Sequence, residues 1–152
     1  ILSSSGEKKI PVKAVEENVG MSRDFSAFEL TKALSFKDAA KAYKITTFFA
    51  QASKRFPIQL TMAALTSHFL RLMKYHAGVQ DKMNRAELAQ LIGVNPYFMR
   101  EYETAARNYP VKKTMKVISL LREYDHRSKS NLRGNADDGE LLKELVSMIL
   151  NA

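Results

Sequence analysis

The chain has 152 residues, 45% of them apolar, enough to bury one proper core with room for a short piece of a neighbouring domain. It has no cysteine, which excludes disulfides, thiolate metal sites and cysteine nucleophiles, and no apolar run approaches the roughly 18–20 residues of a membrane span. The formal charge of +8 is compatible with a nucleic-acid partner but does not require one, because basic surfaces are common.

The opening residues lack the cationic-then-apolar layout of a secretory leader and an initiator methionine, so the chain reads as a fragment of a longer, cytoplasmic protein. After Ser3-Ser4-Ser5-Gly6, Pro11 suits a first helical position, Val12, Val15 and Val19 recur at helical spacing, and Gly20 suits a cap. This helix is too short to hold a core, which predicts a boundary: residues 1–22 end one domain and 23–152 form the next. Ser26 with Glu29 forms a capping box, with Phe25 and Leu30 placed as a hydrophobic staple. Ser35 with Asp38 resembles a second box, opening a helix through Lys54 with Ala42, Ile45, Phe49 and Phe56 inward.

Pro57 begins the most amphipathic stretch. Ile58, Met62, Leu65, Phe69, Leu72, Met73 and His76 follow one face, and Gly78 is the expected stop. A short helix over 85–92 ends at Gly93, and another covers 96–108. Pro110 opens the next, with Val111, Met115, Ile118 and Leu121 as its expected inner face. Residues 128–139 are polar and contain glycine, so they read as a loop. Asp137, Asp138 and Glu140 then sit where a helix dipole favours acids, and Leu141, Leu145, Met148 and Ile149 give the last helix its expected buried side. No stretch alternates with period two. The fold class is all-α, a helical bundle joined by short loops.

Catalytic patterns are missing. A phosphate-cradling loop needs a lysine and a hydroxyl after its second glycine, but Gly134 and Gly139 are followed by Glu140 and Leu141, so no nucleotide cofactor is expected. His68 and His76 lie two turns apart without an acid placed as in a metalloprotease, and with His126 they read as core-edge or surface residues. No Gly-x-Ser-x-Gly elbow occurs. Glu16/Glu17 and Asp137/Asp138 are adjacent pairs near helix ends, better suited to solvation than to acid–base work. The expectation is a domain that is not an enzyme and holds no metal.

Two features bear on nucleic acid. Leu88, Ala89, Ile92, Gly93, Val94 and Met99 reproduce a helix-turn-helix pattern, whose second helix would offer Asn95, Tyr97, Arg100, Glu101 and Thr104 to a major groove. That face is nearly neutral, with Glu103 nearby, which favours a packing hairpin over a DNA reader. Further on, Lys112, Lys116 and Arg127 share a narrow face, with Lys113 beside them and Arg107, Lys129 and Arg133 flanking. This face is either a solvated surface or a stripe that tracks a phosphate backbone.

Taken in order, several stretches resemble the delta subunit of bacterial DNA polymerase III, a clamp-loader subunit. The Val15-Glu16-Glu17-Asn18-Val19-Gly20 stretch is similar to the end of that family's second domain. Phe28-Glu29-Leu30, Ala33-Leu34 and Lys41-Ala42 follow as its third domain begins, and a helix with Leu65, His68-Phe69 and Leu72 comes next. Gly93 with Pro96-Tyr97, Ala105-Ala106 and Tyr109-Pro110 fit the central hairpin, and Leu121, Asp125, Lys129 and Gly134 precede the closing leucine-rich helix. The joint order carries the likeness, since each motif alone is weak.

The resemblance implies a C-terminal helical collar that packs against the other loader subunits, the ATPases of gamma and tau type and the delta-prime-type subunit. It implies weak, sequence-independent contact with DNA, through residues such as Lys112, Lys116, Arg127, Lys129 and Arg133. It implies no membrane partner, and contact with the sliding clamp only through an N-terminal domain outside this chain. The alternative is a helix-turn-helix DNA-binding protein using residues 85–108.

Overall fold

The computed structural model describes residues 26–130 and 137–152. Among them are seven α-helices and no strand: α1 (Ala27–Ser35), α2 (Ala39–Gln51), α3 (Ile58–Gln80), α4 (Arg85–Ile92), α5 (Met99–Asn108), α6 (Val111–Ser128) and α7 (Asp138–Leu150), with a 3₁₀ turn (Pro96–Phe98) leading into α5. The all-α bundle expected from periodicity is the architecture found. The helix expected within residues 1–22, Phe25 of the staple, and Arg133 and Gly134 lie outside the described residues.

α3 is the spine. At 23 residues it is the longest helix, roughly 34 Å at 1.5 Å per residue, and α1, α4, α5, α6 and α7 all pack along it. Its buried stripe of Ile58, Met62, Leu65, Phe69 and Leu72 is the one read from the sequence, while Met73 and His76 are only half-buried. α2 and α7 form a second layer against each other, where Ala42, Ile45 and Phe49 meet the leucines of α7.

Several boundaries differ from the sequence expectations, each for a local reason. Ser26 caps α1 by accepting from the Glu29 amide (3.3 Å), but the Glu29 carboxylate turns to Lys41 (3.2 Å) and leaves the box half-formed. Ser35 caps nothing: it is the last residue of α1, and Asp38 alone caps α2, which ends at Gln51 rather than Lys54. Phe56 lies beyond that helix yet stacks on Phe49 with centroids 4.6 Å apart. Gly78 does not stop α3, which continues to Gln80. Its missing side chain instead admits α4, because a Cβ there would stand 2.5 Å from Leu88 Cδ2. Gly93 does end α4, in the left-handed region at φ 75°.

The inner face of α6 is rotated from the expected one. Val111 (46%) and Met115 (56%) are exposed, while Thr114, Val117, Leu120, Leu121 and Tyr124 are buried, with Ile118 at the margin. Thr114 can be buried because its hydroxyl donates to the Tyr109 carbonyl (2.7 Å), so its polarity costs little in the core. In α7, Leu142 and Val146 join Leu141, Leu145 and Ile149 inside, and Met148 points out.

The segment read as a loop over 128–139 is shorter at both ends. Ser128 closes α6, while Asp137 caps α7 in a full capping box with Glu140, which places Gly139 in the first turn of that helix. A Cβ on Gly139 would stand 2.5 Å from Ala50 Cβ and 3.1 Å from Ala50 Cα, so this glycine sets the approach of α7 to α2. Gly-to-Ala in a helix ordinarily stabilises by about 0.5–1 kcal/mol. Here Gly139→Ala is expected to destabilise by about 1–3 kcal/mol, read as a lower Tm, because the obstacle includes backbone. A raised Tm would show that α2 and α7 separate without cost.

Candidate interaction surface

Three polar side chains of the interior meet at the end of α1. Ser35 Oγ lies 2.7 Å from His68 Nε2 on α3, and His68 Nδ1 lies 3.8 Å from Glu101 Oε2 on α5. Serine, imidazole and carboxylate in this sequence invite comparison with a hydrolase triad, and reading along the chain did not connect them. Ser35 is wholly buried, so no substrate reaches its hydroxyl. The cluster ties three helices together instead.

Burial, with help from the Arg71 guanidinium, pushes the His68 imidazole down to about 4, so at neutral pH it is uncharged and its contact with Glu101 is not an ion pair. The Glu101 carboxyl is pushed up, chiefly by burial.

The other histidines also have structural or solvent roles. His76 Nε2 donates to the Tyr109 carbonyl (2.8 Å), and His126 is exposed. Among the described residues, no group of three or more His, Asp or Glu could hold a metal ion. No described helix is long and apolar enough to cross a membrane.

The hairpin of α4 and α5 does not offer the face a DNA reader needs. Glu101 turns inward towards His68, and the Asn95 side chain is engaged by the Tyr97 amide (2.8 Å). Arg85 reaches back to Glu103 (3.6 Å), and α5 packs on α1 and α3. Of the residues named for readout, Asn95, Tyr97 and Arg100 are exposed, Thr104 is half-buried, and only Arg100 is cationic.

The basic residues divide in two. Lys112, Lys113 and Lys116 stand exposed on the first turns of α6. Arg127 lies against acids, 3.3 Å from Glu144 and 3.8 Å from Glu123, with its guanidinium over the Tyr124 ring, and Tyr124 itself bonds Glu144. Lys129 pairs with Asp125 at 3.1 Å.

A long concavity runs along α3. It encloses about 1050 Å³ and follows one face of that helix from Gln59 to Ala77, roughly 27 Å at 1.5 Å per residue. α4 and the turn at Gly93 contribute to its walls, as do Asp125 and Lys129 at the end of α6. Its apolar lining is Met62, Ala63, Leu70, Met73, Ala77 and Leu91, interspersed with Gln59, Thr66, Ser67, Arg71 and Lys74. Leu70 is 47% exposed. The sequence carries this stripe at spacings of three and four, beside the core stripe and masked by it.

The described residues form an all-helical domain with an open apolar face along α3. The family model described as DNA polymerase III delta subunit, C-terminal domain, matches residues 24–148, and the chain belongs to that family. It is therefore a domain of a clamp-loader subunit, at work in DNA replication beside the loader's other subunits. No curated protein and no solved structure matches the chain.

The neutral His68 makes stability depend on pH. Its folded pKa lies below the unfolded 6.5, so its contribution is whole above about pH 6.5 and is lost as pH falls towards about 4, where the unfolded chain alone binds the proton. The raised Glu101 carboxyl acts in the opposite direction and offsets part of this. Between about pH 7 and about pH 5, the His68 share of the loss is about 2 kcal/mol. Urea unfolding of wild type and His68→Gln at both pH values should show a shallower dependence in the variant. Equal dependence would mean that His68 titrates alike in the folded and unfolded chains.

Proposed function

We propose that residues 23–152 are a clamp-loader collar, an oligomerisation module that packs against the gamma- and tau-type ATPase subunits and the delta-prime-type subunit. Residues 1–22 are then the end of the preceding domain, and the protein acts in the cytoplasm. The sliding clamp is engaged by an N-terminal domain outside this chain, and the module contributes position rather than chemistry.

The observation that supports this is the groove along α3. Its small lining residues, Ala63, Thr66, Ser67 and Ala77, let another helix approach closely, and Met62 and Met73 adapt to its side chains. The helix-turn-helix alternative lacks comparable support, since Glu101 and Asn95 are already engaged within the fold.

In this reading DNA is a passing contact, made to backbone phosphates by Lys112 and Lys116, with smaller shares from Arg127, Lys129 and Arg133. The exposed lysine cluster at the start of α6 favours it.

Leu70→Asp puts a charge in the groove at a side chain that is half in solvent, so Tm and helicity should hold. Incorporation into a reconstituted loader should weaken by roughly tenfold or more, a loss of about 1.4 kcal/mol. Normal incorporation of the folded variant would remove the groove from the interface. For DNA, changing Lys112 and Lys116 to Glu should lower the slope of log affinity against log salt by about 0.7–0.9 for each phosphate no longer neutralised, equally on unrelated sequences. An unchanged slope, measured by fluorescence anisotropy, would make those lysines a solvated face.

A further inference from the structure

A second apolar surface lies where α1 meets the 3₁₀ turn. Phe28, Lys32 and Phe36 follow one another at intervals of four, so they share one face of α1 and continue it past the helix end. Opposite them stand Tyr97 and Phe98. Phe28 and Phe98 pack edge-to-face at 6.0 Å, and Phe98 and Tyr97 do the same at 5.3 Å. All four rings remain open to solvent, from 40% for Phe36 and Phe98 to 83% for Tyr97. Large side chains exposed singly are ordinary, but four rings in one patch are not.

The Phe28–Phe98 pair forms a ridge between two clefts of about 420 Å³ each. One is walled by Lys32, Phe36, Tyr97 and Arg100, the other by Thr31, Val94 and Tyr102, and Glu101 reaches both. Lys32 and Arg100 are exposed, and among the described residues neither has an ion-pair partner within 4 Å. Glu101 is drawn down among α1, α3 and α5, with a side chain only 11% exposed. The outer surface is thus apolar at its centre and cationic at its rim.

We propose that this patch binds a short acidic segment of a partner protein, with an aromatic or large aliphatic side chain seated between Phe36 and Phe98 and its flanking carboxylates on Lys32 and Arg100. Charge complementarity selects this occupant. A single-stranded nucleic acid could also stack on the rings, but it would bring one obligatory phosphate with every base past Glu101, whereas a peptide places its charges only at the rim. The clefts are also concave, which suits an inserted side chain better than a flat base. The cleft between Phe36 and Phe98 shares no lining residue with the proposed collar groove, and the proposal does not rest on that groove.

The test uses the whole chain and fluorescein-labelled probes read by anisotropy: a short peptide with one Phe among Asp and Glu, its Phe→Ser form, a form with Lys in place of the acids, and oligo(dT) as competitor. The acidic Phe peptide should bind in the micromolar range, more weakly as salt rises. Lys32→Glu and Arg100→Glu, both at exposed positions, should each weaken it by roughly tenfold, and Phe98→Ala should abolish it. Leu70→Asp should leave it unchanged, which keeps this outcome independent of the collar reading. The proposal is overturned if the acidic peptide does not bind, if the Ser or Lys forms bind equally well, if the charge variants bind like wild type, or if oligo(dT) displaces the peptide.

Discussion

The last turn of α1 governs how the bundle is put together. A helix ends with carbonyls that its own backbone cannot satisfy, and burying them is costly unless a donor arrives from elsewhere. Here the Ser35 carbonyl accepts from Asn108 Nδ2 (2.8 Å), and the Leu34 carbonyl, which already accepts from the Lys37 amide (3.1 Å), takes a second donor in Tyr109 Oη (2.8 Å); both side chains come from the junction of α5 and α6. The Ser35 side chain meets His68 of the spine. Three helices are thereby fixed at one point, and burial pushes the Tyr109 phenol upward, so it stays a neutral donor. The arrangement also determines what faces out: with Leu30 and Leu34 inward, Phe28, Lys32 and Phe36 are left on the surface.

Much of the fold was legible because helical periodicity is strong in α3 and the caps are ordinary ones. Ser26, Gly93 and Asp137 stand at real helix ends. The errors share a cause. An apolar side chain was assumed to face the core and a polar one to avoid it, which misplaced Val111, Met115 and Met148 outward-in and missed Thr114 and His68. Such residues are settled by partners distant in the chain, such as Tyr109 for Thr114 and Ser35 for His68, and no local pattern contains those partners. Gly78 and Gly139 were read as punctuation for the same reason. Their lack of a side chain serves a neighbouring helix rather than their own turn.

The surface was less legible than the interior. The lysines of α6 looked continuous with Arg127 and Lys129, but folding brings Glu144 beside Arg127, while Asp125 one turn away takes Lys129, so the stripe shortens to its first turns. The groove along α3 and the aromatic patch were both invisible as units, since each is assembled from elements far apart in sequence.

Lys37 joins the two ends of the described fold. It occupies the left-handed region at φ 57°, places its ammonium over the Tyr109 ring at 4.7 Å, and donates to the carbonyl of Leu150, 113 residues away. The partner of α2 is likewise α7, the last helix described. During synthesis, then, Ile45 and Phe49 emerge long before the helix that covers them, and the α1–α2 turn lacks its final tether until α7 leaves the ribosome. The nascent chain must keep that greasy face occupied or shielded throughout the synthesis of the four helices between α2 and α7.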